Sequence, residues 1–309
     1  MTYVLKLLAM VLFVTCVAAY AFKPAFKELL SPAEYKRAWN VVMVTVVCTY
    51  LCKFPGVFLF VLAAVAVYAA VLVDRGPVGK LAVYLLLASV APPIHVNLGG
   101  VGGINYLLSL DHLRVMSLVL VSWAAIELVA AKSQPRTVRF LWVDLLVVAY
   151  QLLRILLMVP HSSLTTLVRA SVEAGLDILL PYYVVTRGIR SMADLRFAGG
   201  HMLIGLLFAA SVGVAEAALQ HNLFSGLQSF YGVQWQLTYQ LMRGGLVRVQ
   251  AATPQPIVLA FMMLFAIGLA YWLKGEQWRR ARVTALFGAI FIALAATFSR
   301  GQWLAAAAL

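Results

Sequence analysis

Long apolar runs, separated by short segments that hold most of the charged residues, repeat along the whole chain. A helix needs about 20 mostly apolar residues to cross the hydrocarbon core of a membrane. Strong runs lie near residues 3–22, 56–73, 113–131, 140–159, 165–186, 199–219, 257–273 and 283–298. Two weaker runs, 39–53 and 81–96, are short or interrupted by Pro92-Pro93. We therefore expect about ten spanning helices, with the start of an eleventh at Gly301.

This pattern predicts an all-α fold, a polytopic membrane helix bundle. The composition agrees, since 63% of the residues are hydrophobic and 11% are charged, against about 45–50% and about 25% in soluble domains. These values exclude a disordered chain, a secreted disulfide scaffold and an ordinary soluble enzyme. No internal repeat or low-complexity linker is visible in the sequence, so we treat residues 1–309 as a single integral-membrane domain.

The net charge of +13 would suggest a nucleic-acid partner in a soluble protein. Here most of the 24 lysines and arginines fall in alternate connections between apolar runs. The positive-inside rule explains that distribution and predicts that the connections 132–139, 187–198 and 274–282 are cytoplasmic, with no nucleic-acid partner. The first run lacks a clean cleavage site, and we expect it to be retained as a helix.

Two connections on the opposite side are long. Residues 97–112 are rich in glycine and are expected to form a turn-rich loop, because glycine most often serves backbone geometry. Residues 220–256 are rich in aromatic side chains, which suits an outer loop at the lipid headgroups. These side chains are Phe224, Phe230, Tyr231, Trp235 and Tyr239.

Several charged residues lie inside the apolar runs, where each needs a partner or a purpose. Arg169, Glu173 and Asp177 are spaced one helical turn apart, which predicts an ion-paired ladder on one helix face. Glu127 is close enough in sequence to pair with Lys132. Glu216 has no cation in its own helix, and is expected either to be buried against an arginine of the 220–256 loop or to belong to a site.

Three arginines, Arg243, Arg248 and Arg300, fall on the side where the positive-inside rule disfavours them. Arginine binds phosphate oxygens through two parallel hydrogen bonds, and two arginines beside helix N-termini suit a diphosphate headgroup. The alternative is that isolated arginines extend to the membrane interface. The five histidines form no catalytic motif with Ser, Asp or Glu, and no spacing typical of a metal site occurs, so we expect neither a metal nor a cofactor.

The last of these segments carries a family resemblance. An arginine lies shortly before a proline-containing helix entry, two spans follow, and then comes Thr297-Phe-Ser299-Arg300-Gly301-Gln-Trp303. This order of features resembles the O-antigen ligase and polysaccharide polymerase family. The segment from Tyr182 to Arg196 is similar to the cytoplasmic connection of its exopolysaccharide-type members. The resemblance covers about residues 140–309, and its Ser-Arg-Gly element is the most specific part.

The resemblance implies a multi-pass glycosyltransferase of the bacterial inner membrane. Such enzymes move a glycan from an undecaprenyl-diphosphate carrier to a hydroxyl of a lipid or glycan acceptor on the periplasmic side, without a metal. It implies that Arg248 and Arg300 bind the diphosphate, with Glu216, Arg243 and Ser299 in support. It also places the catalytic base beyond Leu309, so we expect the 309 residues to be the N-terminal part of a longer enzyme. The alternative function is a transporter or flippase of envelope lipids or polysaccharide.

Overall fold

The computed structural model describes residues 2–99, 106–131, 141–225, 227, 241–273 and 280–308. This part of the chain is almost entirely helical, with two small antiparallel hairpins. The uninterrupted helices are α1 (Thr2–Phe22), α2 (Pro32–Leu51), α3 (Pro55–Val73), α4 (Gly76–Ala88), α6 (Leu141–Met158), α8 (Met192–Leu219), α9 (Pro256–Leu273), α10 (Arg280–Ala296) and α11 (Arg300–Ala307).

Two further helices contain a π-helical turn in their middle. Helix α5 consists of His112–Met116, the π turn Ser117–Val121 and Ser122–Ala130. Helix α7 consists of Leu164–Ala174, the π turn Gly175–Leu179 and Leu180–Gly188. The strands are β1 (His95–Gly99), β2 (Tyr106–Asp111), β3 (Met242–Arg243) and β4 (Leu246–Val247).

Six helices among the described residues are long and apolar enough to cross a membrane. They are Thr2–Phe26, Pro55–Val73, His112–Ala130, Trp142–His161, Met192–Leu219 and Pro256–Leu273. These segments confirm six of the predicted runs and indicate a helical, polytopic membrane protein.

The predicted count of about ten spans is not confirmed. The run 39–53 lies in α2, whose first turns carry Glu34, Lys36 and Arg37. The run 81–96 lies in α4, which ends at Ala88 before Pro92-Pro93. Both remaining runs are also helical, but α7 holds four charged residues and the apolar part of α10 covers Thr284–Ala296 alone.

Helix starts follow the local sequence. Ser31 and Glu34 form a capping box at the start of α2, in which each side chain accepts a hydrogen bond from the other residue's backbone N–H. Ser191 and Asp194 do the same at the start of α8. These reciprocal bonds satisfy N–H groups that have no partner within the helix, so both starts are fixed by sequence.

Helix α8 is the centre of the packing, because small residues let neighbouring helices approach it closely. A Cβ on Gly205 would lie 2.6 Å from the Leu86 carbonyl oxygen of α4. A Cβ on Gly213 would lie 3.3 Å from the Ala293 Cβ of α10. The glycines therefore set how closely α4 and α10 pack on α8.

The 97–112 connection contains more structure than a turn-rich loop. Strands β1 and β2 pair antiparallel, with His95 opposite Asp111, and Asp111 then caps α5 by accepting from the Arg114 N–H. Glycines 100, 102 and 103 lie outside the described residues, as do the connection 132–139, which we predict to be cytoplasmic, most of 274–282, and Phe230, Tyr231, Trp235 and Tyr239 of the 220–256 loop. Phe224 of that loop is buried beside Tyr50, with 5.7 Å between ring centroids.

Candidate functional site

Residues 297–299 form the turn between α10 and α11, and Arg300 is the first residue of α11. We call residues 297–300 the arginine turn, because this segment contains Arg300 and accepts hydrogen bonds from Arg243 and Arg248. Arg248 donates from Nε to the Thr297 carbonyl oxygen at 2.8 Å and from Nη2 to the Ser299 Oγ at 3.2 Å. Arg243 donates from Nη1 to the Phe298 carbonyl oxygen at 2.8 Å. Since Arg300 follows Ser299 directly, the structure gathers Arg243, Arg248, Ser299 and Arg300 at one place.

The backbone of the arginine turn leaves the start of α11 without a side-chain cap. Phe298 has a φ of 52°, in the left-handed region that a bulky residue rarely adopts. Ser299 precedes α11 but makes no side-chain cap bond to it; its Oγ instead accepts from Arg248. The positive end of the α11 dipole thus lies uncapped beside Arg300, an arrangement that favours anions.

The two arginines of the loop differ in exposure. Arg248 is half-buried, and burial together with the positive charge of Arg243 lowers its pKa below the ordinary arginine value. Arg243 and Arg300 are exposed. Within the described residues, the Arg300 side chain has no bonding partner. A guanidinium has five N–H donors, so each of these arginines keeps donors for a ligand.

Glu216 supports the site through the backbone and not through an arginine. Its carboxylate is fully buried and accepts from the Leu223 N–H at 2.9 Å, the Gln250 N–H at 3.0 Å and the Ala251 N–H at 2.9 Å. Among the described residues its hydrogen-bond partners are backbone N–H groups and not an arginine, so the first of the two alternatives, burial against Arg243 or Arg248, is not what the structure shows. It fixes the chain two and three residues after Arg248.

The same end of the bundle, which we call the outer end, is tied together by residues that sequence reasoning missed. Gln220 accepts from the Val247 N–H through Oε1 at 3.0 Å, which joins the end of α8 to the residue before Arg248. The Tyr3 hydroxyl lies 2.6 Å from the His221 Nε2, which brings the start of α1 to this end. No motif marks these contacts, because they join residues far apart in sequence.

A second charged group lies within the helices, and its central residue is Arg114. The Arg114 guanidinium binds Asp177 from Nη2 at 2.9 Å and Glu173 from Nη1 at 2.9 Å. It also donates to the Ser109 carbonyl oxygen at 2.6 Å. The ion-paired ladder that we predicted on α7 therefore did not include its main cation. That cation is Arg114 of α5, about 60 residues away in sequence.

Two more intramembrane charges pair with residues of other helices. Glu127 pairs with Lys80 of α4 at 2.9 Å, and the Lys80 ammonium also lies 4.1 Å from the Trp123 ring centroid. Lys132, the predicted partner, lies outside the described residues. Asp144 of α6 binds Arg187 and the Tyr182 hydroxyl of α7. Charges inside this bundle thus join neighbouring helices.

In the described part of the chain, no group of three or more His, Cys, Asp or Glu residues is arranged to hold a metal ion. Comparisons with protein-family models, curated proteins and solved structures give no match to this chain.

Proposed function

We propose that this protein is a membrane glycosyltransferase that takes a glycan from an undecaprenyl-diphosphate carrier and moves it to an acceptor hydroxyl. The observation that carries the proposal is the arginine turn, where Arg243 and Arg248 hold the backbone that presents Arg300. The reaction takes place on the periplasmic side of a bacterial inner membrane, and the protein is an O-antigen ligase or a surface polysaccharide polymerase.

The arginine turn suits a diphosphate for electrostatic reasons. A diphosphate carries several negative charges on oxygens that accept paired hydrogen bonds, and arginine remains charged at any accessible pH. Exposed Arg300 and Arg243 supply cations, and the positive end of the α11 dipole, which has no side-chain cap, lies beside Arg300. Half-buried Arg248 is held in place by Thr297 and Ser299, so its remaining donors are preorganised.

The same groups would favour the transfer step. The bond between the anomeric carbon and the diphosphate oxygen breaks, and a bond to the acceptor oxygen forms while that hydroxyl loses its proton. Negative charge grows on the departing diphosphate, and fixed cations stabilise that growth more than they stabilise the bound substrate. The resemblance of the Ser299-Arg300-Gly301 element supports this assignment, and the base that takes the proton is left unassigned.

A transporter or flippase of envelope lipids or polysaccharide is the second candidate, and one observation favours it. The Arg114 ionic group lies next to two π-helical turns, one in α5 and one in α7, with Asp177 inside the second. π turns recur at functional sites, and intramembrane charges are frequent on transport pathways. In this alternative the Arg114 group, and not the arginine turn, is the functional centre.

Assays of the full-length protein, purified and placed in proteoliposomes, separate the two candidates. A lipid-linked oligosaccharide is added as the donor, together with an acceptor lipid that has a water-soluble headgroup. The glycosylated acceptor and the transbilayer movement of the donor are both measured. The proposal predicts product formation that an Arg248→Gln/Arg300→Gln variant loses. The second candidate predicts donor movement without product. That movement should be lost in Arg114→Gln and unchanged in Arg248→Gln/Arg300→Gln, and this result would identify the protein as a transporter or flippase.

A further inference from the structure

A groove between α1, α8 and α10 has no role in the site described above. Its volume is about 530 Å³. Helix α1 contributes one wall, with Phe13 and Val17, and α10 contributes the other, with Gly288 and Ile292. The floor is the last part of α8, including Ala215 and Ala218.

The lining of the groove is apolar. Among the described residues that line it, Ser211 has the one polar side chain, and its Oγ already donates to the Leu207 carbonyl oxygen at 2.8 Å. Small residues leave room in the groove: a Cβ on Gly288 would meet no atom within 4 Å. A polar ligand would lose its hydrogen bonds to water here without replacement, so the matching ligand is a hydrocarbon chain.

One end of the groove approaches the arginine turn along two helices. On α10, Ile292 is five residues before Thr297, about 7.5 Å along the helix axis. On α8, Ala218 lies between Glu216 and Gln220, which hold the Arg248 segment by hydrogen bonds to Gln250, Ala251 and Val247. An apolar groove that leads toward a cluster of cations is complementary to an anionic lipid.

We propose that this groove holds the headgroup-proximal part of the hydrocarbon chain of a lipid whose phosphate or diphosphate binds the arginine turn. The inference rests on the proposed function for the headgroup, and adds a chain subsite formed by α1, α8 and α10. The rest of a long chain extends into the bilayer, because the groove opens toward the membrane where Phe13 and Ile292 are exposed.

Filling the groove tests the proposal. Gly288→Leu places a side chain in the groove, whereas Gly268→Leu makes the same change at an exposed position of α9 outside it, where a Cβ also meets no atom within 4 Å. Binding of undecaprenyl diphosphate and of inorganic diphosphate to the purified protein is measured for both variants. We expect Gly288→Leu to weaken undecaprenyl diphosphate binding about tenfold, as loss of a few buried methylenes implies. Binding of inorganic diphosphate, which has no chain, should not change in Gly288→Leu, and the Gly268→Leu variant should bind both ligands like the wild type.

A chain-labelling experiment separates failure of the groove from failure of the headgroup site. An undecaprenyl diphosphate with a diazirine near the start of its chain should label Phe13 and Ile292 in the wild type, and at saturation also in Arg248→Gln/Arg300→Gln. Loss of affinity in the arginine variant bears on the proposed function alone. Labelling spread over other lipid-facing residues, such as Phe261 and Phe265, would show that the groove does not bind the chain. So would equal effects of the two glycine variants, or a dimer that Gly288→Leu dissociates while lipid binding is unchanged.

Discussion

At the scale of single residues, Glu216 shows how one buried carboxylate positions the outer end of the bundle. It accepts three backbone N–H bonds from two segments, 223 and 250–251. Hydrogen bonds to a charged group are each worth about 1.5–3 kcal/mol. The residue therefore fixes the segment that carries Arg248 without touching any ligand.

Replacing this carboxylate tests that role. Glu216→Gln puts an amide NH2 where an oxygen accepts from backbone donors, and we expect a loss of about 1.5–3 kcal/mol in unfolding free energy. Thermal unfolding in detergent measures it, with exposed Glu28→Gln as the control. Equal unfolding midpoints for the two variants would show that Glu216 does not hold the loop.

Residue types on the predicted outer side could be identified from the sequence, but their contacts could not. The positive-inside rule singled out Arg243, Arg248 and Arg300, and all three meet at the arginine turn. The sequence left two alternatives for Glu216, an arginine partner or a place in a site, because it shows charge and not loop geometry. The backbone donors of Gln250 and Ala251 carry no sequence signature.

At the scale of elements, the ionic group of Arg114 fastens α5 to α7 beside their π turns. Arg114→Gln leaves Glu173 and Asp177 without their cation. Removing one partner of a buried pair costs about 3–5 kcal/mol, and we expect a value near the lower limit because Asp177 is about one third exposed.

A double-mutant cycle measures this coupling. Asp177→Asn in the Arg114→Gln background should restore part of the lost stability, because it removes a carboxylate that has lost its partner. Exposed Arg154→Gln on α6 is the matched control. Additive effects of Arg114→Gln and Asp177→Asn would contradict the proposed link between the helices.

The contact between α4 and α8 gives a second prediction for elements. In an open helical site, Gly→Ala is favourable by about 1 kcal/mol. At Gly205 the new Cβ would lie 2.6 Å from backbone, so α4 must shift, and we expect a net loss of about 1–3 kcal/mol. Gly268→Ala, which has open space around it, should not destabilise the protein. A Gly205→Ala variant as stable as Gly268→Ala would show that the helices can separate freely.

The length of an apolar run decided which elements could be predicted. Runs that are long and nearly free of charge became six helices able to span a membrane. Helices α2 and α7 carry charges, and the partners of these charges come from other segments: Arg75 for Glu34, and Arg114 for Glu173. The length of an apolar run can be counted from the sequence, but ion pairs between distant segments cannot be identified from it.

At the scale of the whole molecule, the orientation of the bundle follows from the basic connections. We expect residues 187–198 to be cytoplasmic and residues 241–247 to face the opposite side. Arg190→Cys and Met242→Cys, in a background that lacks Cys16, Cys48 and Cys52, report on this by reaction with a membrane-impermeant thiol reagent. Labelling from outside the cell should reach position 242 and miss position 190. Labelling of position 190 from outside would overturn the orientation.

Binding of undecaprenyl diphosphate to Arg300→Lys tests the central claim most directly. Exposed Arg300 has no bonding partner among the described residues, so the substitution removes no contact that stabilises the fold. Lysine keeps the charge but loses the paired geometry of the guanidinium. We predict that affinity falls about tenfold, the effect of one lost charge-assisted hydrogen bond, while exposed Arg196→Lys at the predicted cytoplasmic end binds like the wild type. Equal affinity of the wild type and both variants, or no binding by the wild type, would contradict a diphosphate site at the arginine turn.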